Sequence, residues 1–407
     1  MSGIDRLASL VPRLLLSSFV FALGLVAADQ ILNLAGFPSE NPALFAHPPN
    51  FFETRVNLDF KHAFQTNSIG LRNQEVPEAK TFGEVRFLIL GDSFVEGYGV
   101  EADETFVALL EAARSAHPAP TRFINGGLSG AGPREYARLY YRVGVPLHLD
   151  WVMICISPND LTGTQPGDNI ESIYALPERS GLREALYAIF PRIYTRISLS
   201  GLFGRRRSED FIQQVSTRAR AIGRSEQEIA EWTAELPVEI VEAVDQGKFN
   251  GSILASGLLT PEYWVESLDL EGPRALAKWT AMTMLLDEIV KIAGQNRHRV
   301  VLVYIPSRFQ YAPPGPNRLL WEQSGTEIRD GWRSEDSELQ RRLLDWSEER
   351  GLPLLDLTPT FRARIDASPP LVFPRDDHWS PEGHRLAAEV IGAWLDGIGA
   401  ASAIAAD

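Results

Sequence analysis

Residues 85–99 read VRFLILGDSFVEGYG, and the fold turns on how this stretch is read. Val85 to Leu90 is apolar except for Arg86, is short for a helix, and stops at Gly91-Asp92-Ser93, where the chain must turn. A short, near-continuous apolar run of this kind suits a strand buried on both faces of a parallel sheet. The serine is then either turn punctuation or a nucleophile held at the end of that strand.

The same signature recurs outward from this stretch. Strands are expected at Arg122–Asn125, Trp151–Ser157, Val300–Ile305 and, in a short form, Leu354–Leu357. Helical segments separate them. One follows Asp103 as N-cap, one is opened by Pro133, and one runs from Pro273 with Leu276, Trp279, Met282, Leu286, Ile289 and Ala293 on one face. Another spans about Ser334 to Arg350 and is closed by Gly351, and the last is opened by Ser380-Pro381. Strands joined by crossover helices make an α/β architecture with a five-stranded parallel sheet covered on both faces.

The alternation lapses between Leu161 and Leu270, where only helical patches such as LREALYAIFPRIYTRI and SEQEIAEWTAEL stand, with an Arg205-Arg206-Arg207 run expected on a solvated face. Residues 161–270 are therefore a helical insertion, a candidate lid, within a domain of residues 84–160 and 271–397. Residues 36–83, rich in Pro and Phe at their start, are expected to be a linker and lead-in segment. Thr66 to Arg72 within them has the look of a strand and turn without a chemical role.

The first 35 residues suggest a membrane anchor or signal peptide. Leu14 to Ala28 carries no charge. Its helix would span about 22 Å at 1.5 Å per residue, short of a hydrocarbon core of about 30 Å. Either it is a signal peptide cleaved near Val26 and Ala28, or an anchor lengthened by Leu7, Leu10 and Val11 with Arg13 snorkelling; ILNLAGF after Asp29 leans towards the anchor. Both place the remainder outside the cytoplasm, in the periplasm or envelope. A net charge of −14, from 39 Lys+Arg and 53 Asp+Glu, repels phosphate backbones and argues against a nucleic-acid partner. With a lone Cys155 inside an apolar run, and His384 isolated from other ligand types, no metal and no cofactor is expected.

Ligands of such sheets bind beyond the carboxyl ends of the strands. Four polar loops fall there: Gly91-Asp92-Ser93, Asn125 to Gly130, Ser157-Pro158-Asn159-Asp160, and Asp376-Asp377-His378-Trp379. A serine hydroxyl needs a base, and His378 is the candidate, with Asp376 two residues before it to hold the ring. An acyl transfer also needs donors for the oxyanion, and the Ser93 N–H, the Gly130 N–H and the Asn159 side-chain amide are the natural three, glycine at 130 letting the backbone come close.

Together these loops resemble the SGNH (GDSL) hydrolase family, through LILGDS with Gly97 and Gly99, INGGLSG, SPND and DDHWSPEGH in that order. The resemblance covers about residues 84–160 and 273–397. It implies a three-layer flavodoxin-like fold, Ser93 as nucleophile, Gly130 and Asn159 as oxyanion-hole donors and His378 as base. Family members usually carry the acid three residues before the histidine, where Arg375 stands here, so Asp376 and Asp377 are both open as the acid. The Asp-x-His-Trp spelling is similar to that of a branch with alginate-type O-acetyltransferases and membrane-tethered envelope proteins. Ser157 stands where many members have glycine.

The expected function is a serine esterase acting on O-acyl, foremost O-acetyl, esters of a cell-envelope glycan. The alternatives are an O-acyltransferase passing the group to a sugar hydroxyl, with a membrane acyl donor as partner, and a catalytically silent glycan-binding or scaffolding protein. The partners expected are a small-molecule or glycan ester and, through the N-terminal segment, the membrane. Trp379 is expected to pack behind His378.

Overall fold

The computed structural model describes residues 3–34, 45–114, 120–174, 181–194, 210–366 and 368–399. The Arg205-Arg206-Arg207 run and the start of the lead-in segment lie outside them. Two compact units emerge, Met1–Leu44 with Leu176–Ser208, and Phe45–Ala175 with Glu209–Asp407.

In the larger unit the strands are β1 (Phe52–Val56), β2 (Lys61–Gln65), β3 (Val85–Gly91), β4 (Thr121–Gly127), β5 (Trp151–Ile156), β6 (Arg299–Tyr304) and β7 (Leu354–Asp356). β1 and β2 form an antiparallel hairpin, and the other five form one parallel sheet in the order β4-β3-β5-β6-β7. Renumbered within that sheet, the order is 2-1-3-4-5, the flavodoxin-like arrangement, whose switch point lies between β3 and β5.

The apolar runs are near-continuous because both faces are covered. Successive side chains of a strand point to opposite faces. Leu88 and Leu90 of β3, Val152, Ile154 and Ile156 of β5, and Leu302 of β6 therefore join one core with Tyr136, Met282, Ile289 and Leu343. Phe87, Ile89, Trp151, Met153, Cys155, Val301 and Val303 join the other with Phe106, Leu110, Leu386 and Ile391. Helices Pro133–Leu139, Gly272–Gln295 and Glu338–Glu349 thus cover one face, and Phe106–Arg114 and Pro381–Gly397 the other, giving three layers. Leu276, expected on the buried stripe, is 42% exposed, the stripe running instead through Ala275, Met282, Leu285 and Ile289. Asp103 is not the cap of its helix; it sits in a 3-10 turn, Ala102–Glu104, and the helix starts at Phe106.

Two expectations about the flanking regions change. Residues 45–83, expected as a linker and lead-in, carry the β1–β2 hairpin, whose side chains are bonded to the sheet-edge loops described below. Of the helical insertion, residues 211–268 hold a core of their own with Phe211, Trp232, Ile253, Leu254 and Trp264, and that core is shared with Phe309, Trp321 and Trp332. This half is a packed wall of the domain through that shared core.

In the smaller unit one helix runs Gly3–Leu34, longer than the apolar core read from the sequence, and its part Leu16–Leu34 has mean hydropathy 1.5 with 6% buried. It is long and apolar enough to cross a membrane. Asp29, 2% exposed, accepts the backbone N–H groups of Arg192 at 2.9 Å and Ile193 at 3.0 Å.

Candidate active site

Three of the four loops follow the ends of β3, β4 and β5, and the fourth, Asp376 to Trp379, is brought to the same edge just before the helix Pro381–Gly397. Asp92 closes β3 with Oδ1 accepting the Phe94 N–H at 2.9 Å, which caps the one-turn helix Ser93–Glu96, and Gly97 ends that turn at φ +82°. Ser93 is thereby held in a sharp strand-to-helix turn, its hydroxyl facing a cleft of about 440 Å³.

His378 Nε2 lies 2.6 Å from Ser93 Oγ, and His378 Nδ1 lies 2.5 Å from Asp376 Oδ1. Because the carboxylate only accepts, Nδ1 carries the hydrogen, leaving Nε2 free to accept from the serine. Asp376 rather than Asp377 is the residue on the ring. Its loop is held rigid: Arg308 donates to the carbonyls of Asp376 at 2.7 Å and Phe373 at 3.0 Å, and Asn317 donates to that of Arg375 at 2.7 Å. Burial alone would raise the Asp376 carboxyl, but the adjoining His378 and Arg308 hold it below its usual range. Burial likewise opposes a charged imidazole at 378, yet the Asp376 charge and hydrogen bond, with Asp92 and Asp377, raise it above the ordinary histidine value. That is the direction a general base needs if it is to keep the proton it takes.

Asp377 lies in the cleft wall, accepting from Trp321 Nε1 at 3.3 Å; burial raises its carboxyl to about 6 despite Arg308 nearby. Trp379 is fully buried against Phe94, Phe106, Phe361 and His384, behind the histidine as expected. His384 accepts the Phe106 N–H at 3.3 Å, so it is a buried neutral acceptor.

Ser93, Gly130 and Asn159 all line the cleft. Asn159 Nδ2 donates to Asp92 Oδ2 at 2.8 Å, which leaves its second N–H for the cleft. Ser157 Oγ donates to the same Asp92 oxygen at 2.9 Å or, in the other rotamer of its hydrogen, to Asn159 Oδ1, so a serine at this position ties the loop where a glycine would leave it free. At Gly130 the reason for glycine differs from the expected close approach. A Cβ there would meet nothing within 4 Å, and the requirement is its φ of +74°.

Other contributors were not evident in the sequence. Glu96, wholly buried, accepts the Ser129 N–H at 2.8 Å and the Ser129 hydroxyl at 2.7 Å, pinning the loop next to Gly130 onto the serine turn. Burial would raise this carboxyl, but His47 at 2.9 Å and Arg55, with Ser129, bring it down to about 2. A single carboxylate within apolar FVEGYG was the available signal. Asn250, Ser252, Ser256, Tyr263 and Trp264 bring the insertion into the cleft wall, and no local pattern marks them. Among the described residues no cluster of three or more His, Cys, Asp or Glu is placed to hold a metal ion.

Residues 315–403 match the family described as SGNH hydrolase-like domain, acetyltransferase AlgX. None of the curated proteins matches the chain. Among solved structures, the chain is similar to LAE5, an alpha/beta hydrolase enzyme from the metagenome of Lake Arreo, Spain, at 17% identity over 78% of this chain and 96% of that one, with a TM-score of 0.33. It is also similar to a catalytic mutant of Axe2, an acetylxylan esterase from Geobacillus stearothermophilus, at 13% identity over 77% and 94%, with a TM-score of 0.35. A member of the lipolytic protein G-D-S-L family from Veillonella parvula gives 13% identity over 75% and 94%, with a TM-score of 0.33.

Proposed function

We propose that this chain, whose residues 315–403 match the family described as SGNH hydrolase-like domain, acetyltransferase AlgX, is a serine-dependent enzyme acting on O-acyl, foremost O-acetyl, esters of a cell-envelope glycan. The observation that carries this reading is the relay from Ser93 through His378 to Asp376, at 2.6 and 2.5 Å, opening into the cleft. Ser93 Oγ attacks the acyl carbon while His378 Nε2 takes its proton and Asp376 stabilises the imidazolium. The negative charge that builds on the carbonyl oxygen meets the N–H groups of Ser93 and Gly130 and the free N–H of Asn159. Collapse expels the alcohol, which takes the proton back from His378, and leaves Ser93 acylated. Water, deprotonated by the same imidazole, then releases the acid.

A second reading replaces that water with a sugar hydroxyl, which makes the protein an O-acyltransferase. It is favoured by the acetyltransferase description of the family matched over residues 315–403, a range that includes Asp376 and His378. The cleft suits a sugar in either case: Tyr98, Tyr263, Trp264 and Trp321 offer aromatic surface beside the hydroxyls of Ser129, Ser252 and Ser256. Incubation with an acetyl ester and candidate envelope oligosaccharides, read by mass spectrometry, separates the readings. Acetylated sugar supports transfer, free acetate alone supports hydrolysis, and neither product together with no fluorophosphonate labelling of Ser93 leaves a silent binding protein.

We further propose that the helix Gly3–Leu34 stays attached as an anchor, with the larger unit outside the cytoplasm and a membrane acyl donor as partner if transfer is the reaction. The support is the helix itself, which runs unbroken past Ala28 to Leu34 and whose part Leu16–Leu34 is long and apolar enough to cross a membrane. The intact mass of membrane-extracted protein tests this, since cleavage near Ala28 removes the helix.

A further inference from the structure

The hairpin that precedes the sheet reaches the site at two points. Its turn, Asn57-Leu58-Asp59-Phe60, is closed by the Asn57 N–H donating to the Phe60 carbonyl at 2.8 Å. From this turn Asn57 Nδ2 donates to Asp376 Oδ2 at 3.1 Å, the oxygen that His378 leaves free. Asp59 Oδ2 accepts the backbone N–H groups of Arg375 at 2.6 Å and Asp376 at 3.0 Å, and its side chain is 2% exposed. Phe60 packs against Phe373 at 4.7 Å and Tyr98 at 5.2 Å between ring centroids, and Leu58 N–H bonds the Lys248 carbonyl at 2.9 Å. Two residues before the turn, Arg55 pairs with Glu96, which holds Ser129 beside Gly130.

We infer that the hairpin Phe52–Gln65 is a positioning element of the Ser93–His378–Asp376 relay, with Asn57 and Asp59 as its working residues. Asp59 fixes where the backbone of Asp376 sits, and Asn57 fixes how its carboxylate is turned. A carboxylate held only through Oδ1 can rotate about its last bond, which weakens the alignment of the imidazole with the serine. A neutral amide suits the task because it orients the carboxylate without cancelling the negative charge that stabilises the imidazolium. A lysine or arginine there would compete with His378 for that charge.

This inference rests on the serine-nucleophile reading above, so its test separates the two. Full-length wild type, Asn57→Leu and Asn57→Asp are reacted with a fluorophosphonate, and the rate of Ser93 labelling is followed against pH alongside thermal unfolding. The charged and titratable groups around the relay include Asp92, Asp377, Arg308, Asp59, Arg375, Tyr98 and His384, and all are kept in both variants. Asn57→Leu is expected to slow labelling at least tenfold at every pH. Asn57→Asp sets a second carboxylate against Asp376, which favours the imidazolium, so its acid limb is expected to move up by about one pH unit. A merely structural role moves the unfolding temperature and leaves that limb in place. Labelling within twofold of wild type in the leucine variant, or an unmoved acid limb in the aspartate variant, overturns the inference. If the leucine variant does not fold, the near-isosteric aspartate variant decides by its acid limb. A wild type that is not labelled while a Ser93→Ala control is equally inert overturns the nucleophile reading itself, and this inference with it.

Discussion

Asn159 donates its side-chain amide to Asp92 at 2.8 Å, so the residue directly before Ser93 also orients a side chain that lines the cleft. Asp92 does two jobs with two oxygens, capping the serine turn through Oδ1 and holding Asn159 through Oδ2. Asp92→Asn keeps a good cap but turns the second oxygen into an amide that cannot accept from Asn159. The expected outcome is a folded protein whose kcat on an acetyl ester falls about 10- to 100-fold with KM little changed, measured by steady-state kinetics.

Two neighbouring glycines are expected to respond in opposite ways to the same methyl group. At Gly130 a Cβ meets nothing, so Gly130→Ala costs only the left-handed backbone, about 1 kcal/mol, and the protein folds with reduced activity. At Gly127 a Cβ would stand 2.0 Å from the Glu96 N, and because backbone cannot move aside cheaply, Gly127→Ala is expected to destabilise by about 3 kcal/mol or more. Urea unfolding of both variants checks the contrast.

Glu96→Gln leaves Arg55 and His47 beside a neutral group. Breaking a buried ion pair from one side costs about 3–5 kcal/mol, and this variant is expected to lose stability on that scale at pH 7. Glu96 holds a folded value of about 2 against an ordinary 4.5. Its ionised form therefore stabilises the fold fully above pH 4.5, and that contribution is lost as pH falls from 4.5 towards 2. Wild type should lose stability steeply across that window, and the variant less so, in unfolding midpoints taken at each pH.

His384 behaves in the same sense from a different cause. Burial, with Arg72 and His378 nearby, lowers its value from 6.5 to about 3, so the unfolded chain takes up a proton that the folded one refuses. Stability is full above pH 6.5 and falls as pH drops from there towards 3, by on the order of 3 kcal/mol at pH 4. His384→Asn offers an acceptor to the Phe106 N–H without a titrating ring, and is expected to flatten the slope between pH 6.5 and 4.

Ser252 is exposed at the start of helix Ser252–Leu259 and lines the cleft. Ser252→Phe is expected to leave stability within about 0.5 kcal/mol. On the glycan reading it lowers kcat/KM for an acetylated oligosaccharide about tenfold or more while sparing a small aryl acetate. Equal loss on both substrates would place the sugar elsewhere.

What the sequence made legible follows from how each element is stabilised. The sheet was readable because strands covered on both faces are written as nearly unbroken apolar runs, as in β3 and β5, both buried throughout. Ser93, Gly130 and Asn159 could be placed together because loops after parallel strands share one edge, and His378 could be added because it directly precedes the closing helix. The hairpin was not readable as part of the site. FETRV and KHAFQ mix charge with apolar residues, and Arg55, Asn57 and Asp59 matter through partners 41 to 319 positions away. Nor could adjacency decide between Asp376 and Asp377. In a turn, neighbouring side chains diverge, so one meets the imidazole and the other meets Trp321 in the cleft wall.

The serine and histidine of the relay lie 285 residues apart, the histidine just before the closing helix Pro381–Gly397. A chain made at about 5–20 residues per second has Ser93 synthesised roughly 15 to 60 s before His378 exists. Throughout synthesis, and in any unfolded passage across a membrane, the hydroxyl stays an ordinary alcohol. On the proposed reading, chemistry is thus withheld until the last segment docks, and esters met on the way are spared.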